Sequence, residues 1–175
     1  MKITTKQQVE LFHLLFLRYF GQITTGNLYA IKGGCNLRFF FESQRYSEDL
    51  DIDIQIIQKQ TLEKKVTTLL SSPAFLRTLQ SYDIASITVT APKQTQTTQR
   101  WKIQLHTTLS HFPLPTKIEF SRRQDSLESQ MDNIALSICQ HYRLSPTRLS
   151  HYPLQAALTQ KLLALAIAIV LVAFI

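Results

Sequence analysis

Residues 49–54 read Asp-Leu-Asp-Ile-Asp-Ile, a strict alternation of acidic and apolar side chains. Successive side chains of a β-strand point to opposite faces, so this stretch predicts a strand with one apolar and one acidic face. Neighbouring carboxylates on one face repel each other unless a positive partner lies between them. The chain is therefore expected to build a sheet with a core on one side and a cluster of acids on the other.

The rest of the chain alternates between helical and strand patterns. Residues 6–20 predict a mostly buried helix that Gly21 ends, and residues 36–43 predict a short helix. Residues 61–70 predict a two-faced helix, and Pro73 predicts the start of another. A period of two then follows in three segments: 84–90, 100–106 and 116–122.

This order of elements predicts an α+β domain with a small, mainly antiparallel sheet and helices packed on it. The domain is expected to cover residues 1–153, and residues 154–175 are expected to start a C-terminal helical region. The two cysteines, Cys35 and Cys139, are too few for a disulfide scaffold and are interpreted as packing residues. Met1–Gln8 lacks a secretory n-region, which favours the cytoplasm.

Charge is unevenly distributed along the chain. Lys and Arg number 19 against 12 Asp and Glu, a net charge of +7, yet residues 42–53 hold five of the acids. An acidic spot on a basic background suits a protein that binds cations locally and polyanions broadly. A solvated acidic turn is the alternative.

The acidic strand and the glycine pair before it suggest phosphate chemistry. Asp49 and Asp51 share a face, and a divalent cation, Mg²⁺ or Mn²⁺, would relieve their repulsion. Gly33 and Gly34 allow backbone amides to approach an anion closely, at the start of a helix. Together these features predict a nucleoside triphosphate held through its phosphates by metal and backbone.

The spacing resembles the signature of the DNA-polymerase-β-like nucleotidyltransferases. Ile31-Lys32-Gly33-Gly34 is followed, after fourteen residues, by Asp49-Leu50-Asp51-Ile52. The finer pattern, KGG..LR......R.SEDLDID, is similar to the AbiEii/AbiGii toxin family of abortive-infection and toxin–antitoxin systems. The dense match covers residues 31–54, and a fainter one runs to about residue 165.

The resemblance implies roles for further residues. Glu119 would be the third metal-binding carboxylate beside Asp49 and Asp51, unless it is an exposed strand residue paired with Lys117 or Arg122. Lys161, on a later helix, would contact the nucleotide phosphates; the alternative is a lysine that only extends to solvent from an apolar helix.

The matching block contains four other residues with expected roles. Arg45 and Ser47 would join the glycine pair in nucleotide binding, although Arg45 could instead neutralise Glu48. Arg38 could be a salt-bridge residue, and Asp53 is expected to support the site rather than bind the metal directly.

The implied function is metal-dependent transfer of a nucleoside monophosphate from an NTP to an acceptor hydroxyl, with tRNA or other RNA as candidate acceptor. The protein would be the toxin of a system with a cognate antitoxin. A catalytically impaired nucleotide-binding remnant is the main alternative. A membrane-associated protein is a weaker one, because the apolar run 162–175 has 14 residues where a spanning helix needs about 20.

The end of the chain departs from the family pattern. Relatives are expected to continue with a basic segment and an R-D-x-x-D motif, whereas this chain ends in AIAIVLVAFI. An apolar helix end needs cover on every side. We expect either a truncation that weakens turnover and solubility, or a short family member whose tail packs against the first helix.

Overall fold

The computed structural model describes residues 3–123 and 128–173, and the side chains of the last helix up to residue 166. The helices are α1 (Thr5–Ile23), α2 (Gly33–Phe41), α3 (Lys59–Ser71), α4 (Pro73–Gln80), α5 (Leu136–His141) and α6 (Leu154–Ala173). The strands are β1 (Tyr29–Lys32), β2 (Asp49–Ile54), β3 (Ile84–Gln94), β4 (Thr98–Thr107), β5 (Leu114–Arg122), β6 (Gln130–Asn133) and β7 (Arg148–His151). A single 3-10 turn, Gly26–Leu28, leads into β1.

Within the described residues, seven strands form one sheet in the order β3-β4-β5-β2-β1-β7-β6. The β2–β5 and β1–β7 pairs are parallel, and the other pairs are antiparallel. The α+β class is confirmed, but the prediction of a small, mainly antiparallel sheet was wrong, because the sheet is mixed. Alternation identifies the face of a strand and carries no information about the direction of its neighbour. The short strands β6 and β7 also lack a pattern that predicts them.

One face of the sheet packs against α1, α3 and α4. Phe12, Phe16 and Phe20 follow each other at helical spacing along α1 and are fully buried. The ring centroids of Phe20 and Phe120, on β5, lie 5.3 Å apart. This core fixes the apolar side of β2 and β5, so their carboxylates must point to the opposite face.

Helix α1 is longer than predicted. Thr4 caps its start through a reciprocal capping box with Gln7, and the helix passes Gly21 to end at Ile23. A Cβ atom at Gly21 would lie 2.8 Å from Leu149 Cδ2. The glycine therefore allows β7 to pack closely against the helix, and the prediction that it ends the helix was wrong.

The opposite face of the sheet is only partly covered, by α2 and α6. Ala30, Tyr152 and Ala157 form a small second apolar cluster there. Further along α6, Leu162 and Leu165 are more than half exposed. In the part of the chain that the structure describes, no helix combines the length and apolar character needed to cross a membrane. Truncation and packing of the tail against the first helix were the two expectations for the C-terminus. Both concern side chains 167–175, which the structure does not describe.

Candidate active site

The turn from β1 into α2 brings the backbone against the acidic strand. Gly33 has φ +67°, a conformation that favours glycine, and a Cβ there would lie 3.1 Å from Asp51 Oδ2. A Cβ on Gly34 would lie 2.6 Å from Ser47 Oγ. Both glycines are therefore required by close approach, and the start of α2 lies directly beside the carboxylate of Asp51.

Two parallel strands hold the three predicted carboxylates. Asp51 on β2 is directly opposite Glu119 on β5, and Asp49 is opposite Lys117. Burial raises the pKa of Asp51 above its ordinary value, and the charges of Glu119 and Asp49 raise it further, against the opposing effect of Lys32 and Lys117. The positive charges near Asp51 therefore do not fully compensate its burial and its acidic neighbours.

Two of the three carboxylates carry a basic partner. Lys117 Nζ lies 3.0 Å from Asp49 Oδ2, and Arg100 lies 2.6 Å from Glu119 Oε2. The expectation that an exposed Glu119 would pair with Lys117 or Arg122 named the wrong partner. Arg122 instead donates to backbone carbonyls and to the side chain of Gln99.

Among the described residues, no group of three His, Cys, Asp or Glu side chains is arranged to hold a metal ion. The donor set is nevertheless of the right kind, because Mg²⁺ and Mn²⁺ prefer carboxylate oxygens. The raised pKa of Asp51 also indicates a place where added positive charge would be stabilising. The carboxylates therefore fit a divalent cation chemically, provided that Lys117 and Arg100 give up their ion pairs.

Asp53 has a separate structural role. Its carboxylate is fully buried and contacts Lys32 Nζ at 2.6 Å, Arg123 Nε at 2.6 Å and the Tyr152 hydroxyl at 2.9 Å. These contacts link β2 to β1, to the end of β5 and to the segment before α6. Asp53 therefore connects the elements under the site, and each of its two oxygens has a cation 2.6 Å away.

A cleft of about 240 Å³ opens over Asp49 and Asp51. Most of the predicted site residues lie on its wall: Gly34, Arg45, Ser47, Asp49, Asp51 and Lys161. Lys161 reaches the cleft from α6, although it follows Asp51 in the sequence by more than a hundred positions. The structure therefore brings these residues together, while Glu119 adjoins the cleft through its register with Asp51.

The loop between α2 and β2 is held by Arg38, which forms a salt bridge as the sequence suggested, but with a partner that the sequence did not identify, Glu10. Arg38 donates to both carboxylate oxygens of Glu10, at 2.8 and 3.3 Å, and to Ser43 O at 2.8 Å. Its guanidinium also lies 4.8 Å from the centroid of the Tyr46 ring, and the Tyr142 hydroxyl donates to Glu10. The available signal was Glu10 itself, a lone carboxylate inside an apolar helix.

Cys35 has a histidine neighbour that its sequence context does not reveal. Its Sγ lies 3.6 Å from His13 Nδ1, and His13 Nε2 lies 2.7 Å from Thr116 Oγ1. Burial raises the pKa of the Cys35 thiol and lowers the pKa of His13 to about 3. A neutral thiol beside a neutral imidazole is not an activated nucleophile, and the role of Cys35 in packing stands.

The fold is shared with solved structures that include a nucleotidyltransferase toxin. A crystal structure of JHP933 from Helicobacter pylori matches with a TM-score of 0.60 and 16% identity, over 93% of this chain and 58% of that one. MenT4, a nucleotidyltransferase toxin from Mycobacterium tuberculosis, matches with a TM-score of 0.60 and 20% identity, over 91% and 54%. The chain thus spans little more than half the length of these structures. No curated protein matches it.

Likeness at this level of identity shows the fold alone, and a family model defines the class of protein as nucleotidyl transferase toxins. The family model described as nucleotidyl transferase AbiEii toxin, type IV toxin–antitoxin system, matches residues 15–169. This range includes the glycine pair, the three carboxylates and Lys161. The chain belongs to the AbiEii toxin family.

Proposed function

We propose that the protein transfers a nucleoside monophosphate from an NTP to an acceptor hydroxyl. The observation that carries this proposal is the juxtaposition of Asp51 and Glu119 across the parallel β2–β5 pair, beside Asp49. The cleft above them is lined by Arg45 and Lys161, the cations that a triphosphate requires. Family membership supports the same chemistry and implies a cognate antitoxin.

The reaction assigns a task to each side of the cleft. The start of α2 at Gly34, together with Arg45 and Lys161, would bind the triphosphate and orient it. Glu119 would accept the proton of the acceptor hydroxyl as the new bond to the α-phosphorus forms, while the bond to the departing pyrophosphate breaks.

A divalent cation is the further component that the proposed reaction requires. Asp49, Asp51 and Glu119 would hold Mg²⁺ or Mn²⁺, which in this chemistry supplies neutralisation of the phosphate charge. Lys117 and Arg100 would then be released from Asp49 and Glu119.

Transfer of label from NTP tests the proposal. The purified chain is incubated with each α-labelled NTP, Mg²⁺ and total RNA, and pyrophosphate release is measured alongside. We expect Asp49→Asn and Asp51→Asn to abolish labelling. Asp83→Asn is the matched control, because Asp83 lies outside the cleft and its φ of +63° suits asparagine. Equal labelling by the two site variants would refute the catalytic assignment.

A nucleotide-binding remnant without turnover is the second candidate. The ion pairs Lys117–Asp49 and Arg100–Glu119 favour it, since they occupy two of the three carboxylates. This candidate predicts that NTP raises the melting temperature of the wild-type chain while no label reaches RNA or protein. Label on RNA would exclude this candidate. If NTP gives neither thermal protection nor labelling, both candidates are excluded.

A further inference from the structure

The open face of β3, β4 and β5 carries an excess of positive charge. The three strands contain five Lys and Arg residues but a single acid, Glu119. Four of these five cations share the face that also carries Asp49 and Asp51: Lys93, Arg100, Lys102 and Lys117. Helices α1, α3 and α4 pack on the opposite face, and α2, on this face, packs against β1 and β2. In the part of the chain that the structure describes, the side chains that β3 and β4 place on this face beyond Arg100 are at least partly exposed.

The cations on this face are placed against each other. Lys102 lies directly opposite Lys117, and Lys93 lies directly opposite Arg100. Like charges in opposed positions of a sheet destabilise it. Lys117 and Arg100 are neutralised by Asp49 and Glu119, but Lys93 and Lys102 are exposed and form no ion pair with any described residue. Stability of the fold does not explain these two lysines.

The side chains on this face follow the ordinary spacings of a β-sheet. Opposed residues on neighbouring strands lie about 5 Å apart, and residues two apart on one strand lie about 7 Å apart. Thr88, Thr90 and Gln104 extend the same face with uncharged hydrogen-bonding groups. An extended strand face with several cations and neutral hydrogen-bonding groups matches a chain of repeating phosphates better than a compact anion.

The surface also begins where the acceptor must arrive. Arg100 is bonded to Glu119, and Lys102 is one strand away from Lys117, which is bonded to Asp49. The cleft is lined by α2, the loop before β2, β2 itself and Lys161, and by no residue of β3, β4 or β5. The nucleotide and the acceptor would therefore approach the carboxylates over different surfaces.

We propose that the open face of β3 and β4 is the track for the backbone of a single-stranded RNA acceptor, with Lys93 and Lys102 as its phosphate contacts. The inference rests on the proposed transfer reaction for its direction, but RNA binding is measurable without turnover. A failure of RNA binding at this face is therefore distinguishable from a failure of the proposed transfer reaction.

Salt-dependent binding of a fluorescent 15-nucleotide single-stranded RNA, followed by anisotropy, tests the track. Each phosphate contact contributes about 0.7 to the slope of log K against log salt for a single strand. Replacing both lysines with glutamine should lower the magnitude of this slope by about 1.4. Between 50 and 200 mM salt, the Kd of the wild type should therefore rise by a factor about seven times larger than the Kd of the double variant. Lys64→Gln/Arg77→Gln is the matched control: it also removes two exposed positive charges, from α3 and α4, and should leave the slope unchanged.

Three outcomes would overturn the track. An unchanged slope in the Lys93→Gln/Lys102→Gln protein would show that these residues touch no phosphate. An equal loss in the Lys64→Gln/Arg77→Gln protein would show that net charge alone governs binding. Preferential binding of polyglutamate, lost in the double variant, would point to an acidic protein as the partner. Melting temperatures of all variants check that they are folded. Removal of Lys102 should leave the melting temperature unchanged or raise it, because Lys102 lies opposite the like-charged Lys117.

Discussion

Replacing Gly34 with alanine places a methyl group against Ser47. The added Cβ would lie 2.6 Å from Ser47 Oγ and 3.0 Å from Ser47 Cβ, closer than unbonded atoms approach. The Ser47 hydroxyl donates to the carbonyl of Asp49 at 2.8 Å. Moving Ser47 therefore breaks a bond that positions the first residue of the acidic strand.

The cost of Gly34→Ala follows from three contributions. Overpacking of this kind costs about 1–3 kcal/mol, and loss of the hydrogen bond costs about 1 kcal/mol. Alanine is favoured over glycine in a helix by up to about 1 kcal/mol. The free energy of unfolding should therefore fall by about 1–3 kcal/mol.

A double-mutant cycle isolates the clash. Ser47→Gly removes both offending atoms, and the nearest remaining atom, Ser47 Cα, is 3.8 Å away, an ordinary contact. In that background Gly34→Ala should be neutral or stabilising by up to about 1 kcal/mol. Urea unfolding of the four proteins gives the coupling energy. An equal loss of stability in both backgrounds would refute the reasoning, because Ser47 would then not be the obstacle.

Three further changes test the buried charges. Because burial raises the pKa of Asp51 above 3.8, its ionised form destabilises the fold at neutral pH. Asp51→Asn should therefore be more stable than wild type to urea at pH 7, with the advantage lost below about pH 4. His13, whose pKa burial lowers to about 3, costs up to about 1.4 kcal/mol of stability per pH unit as pH falls below 6.5. His13→Gln should flatten that slope in denaturation measured between pH 6.5 and 4. Asp53→Asn should lower the free energy of unfolding by about 3 kcal/mol at pH 7, since it leaves Lys32 without its partner.

Each of these has a contrary result. No gain in stability for Asp51→Asn at pH 7 would mean that Lys32 and Lys117 offset the burial of the carboxylate. An unchanged pH slope in His13→Gln would mean that other groups govern acid unfolding. A loss below about 1 kcal/mol in Asp53→Asn would mean that the ion pairs contribute little to the fold.

The position of the cleft was predictable from the sequence because local spacing determines it. The alternation over residues 49–54 places Asp49 and Asp51 on one face in any strand, and the glycine pair marks the turn beside them. Lys161 and Glu119 were assigned through the family resemblance alone, and the structure places both at the cleft or beside it. Their chemical roles remain predictions.

The partners of the carboxylates were not predictable, because they depend on which strands are neighbours. Arg100 meets Glu119 only through the β4–β5 register, and Lys117 meets Asp49 only because β2 and β5 run parallel. The pattern of side chains along one strand contains neither fact. The contact of Cys35 with His13 likewise depends on how α1 packs under α2 and β5.

The parallel pairing of β2 and β5 also affects when the site can form. Asp51 and Glu119 are 68 positions apart in the chain but adjacent in the sheet. Contacts of such high sequence separation close a long loop before they gain any stability, which slows folding. At synthesis rates of about 5–20 residues per second, several seconds separate the emergence of the two carboxylates from the ribosome. A nascent chain therefore carries the complete glycine and aspartate motif for some time without the third acid.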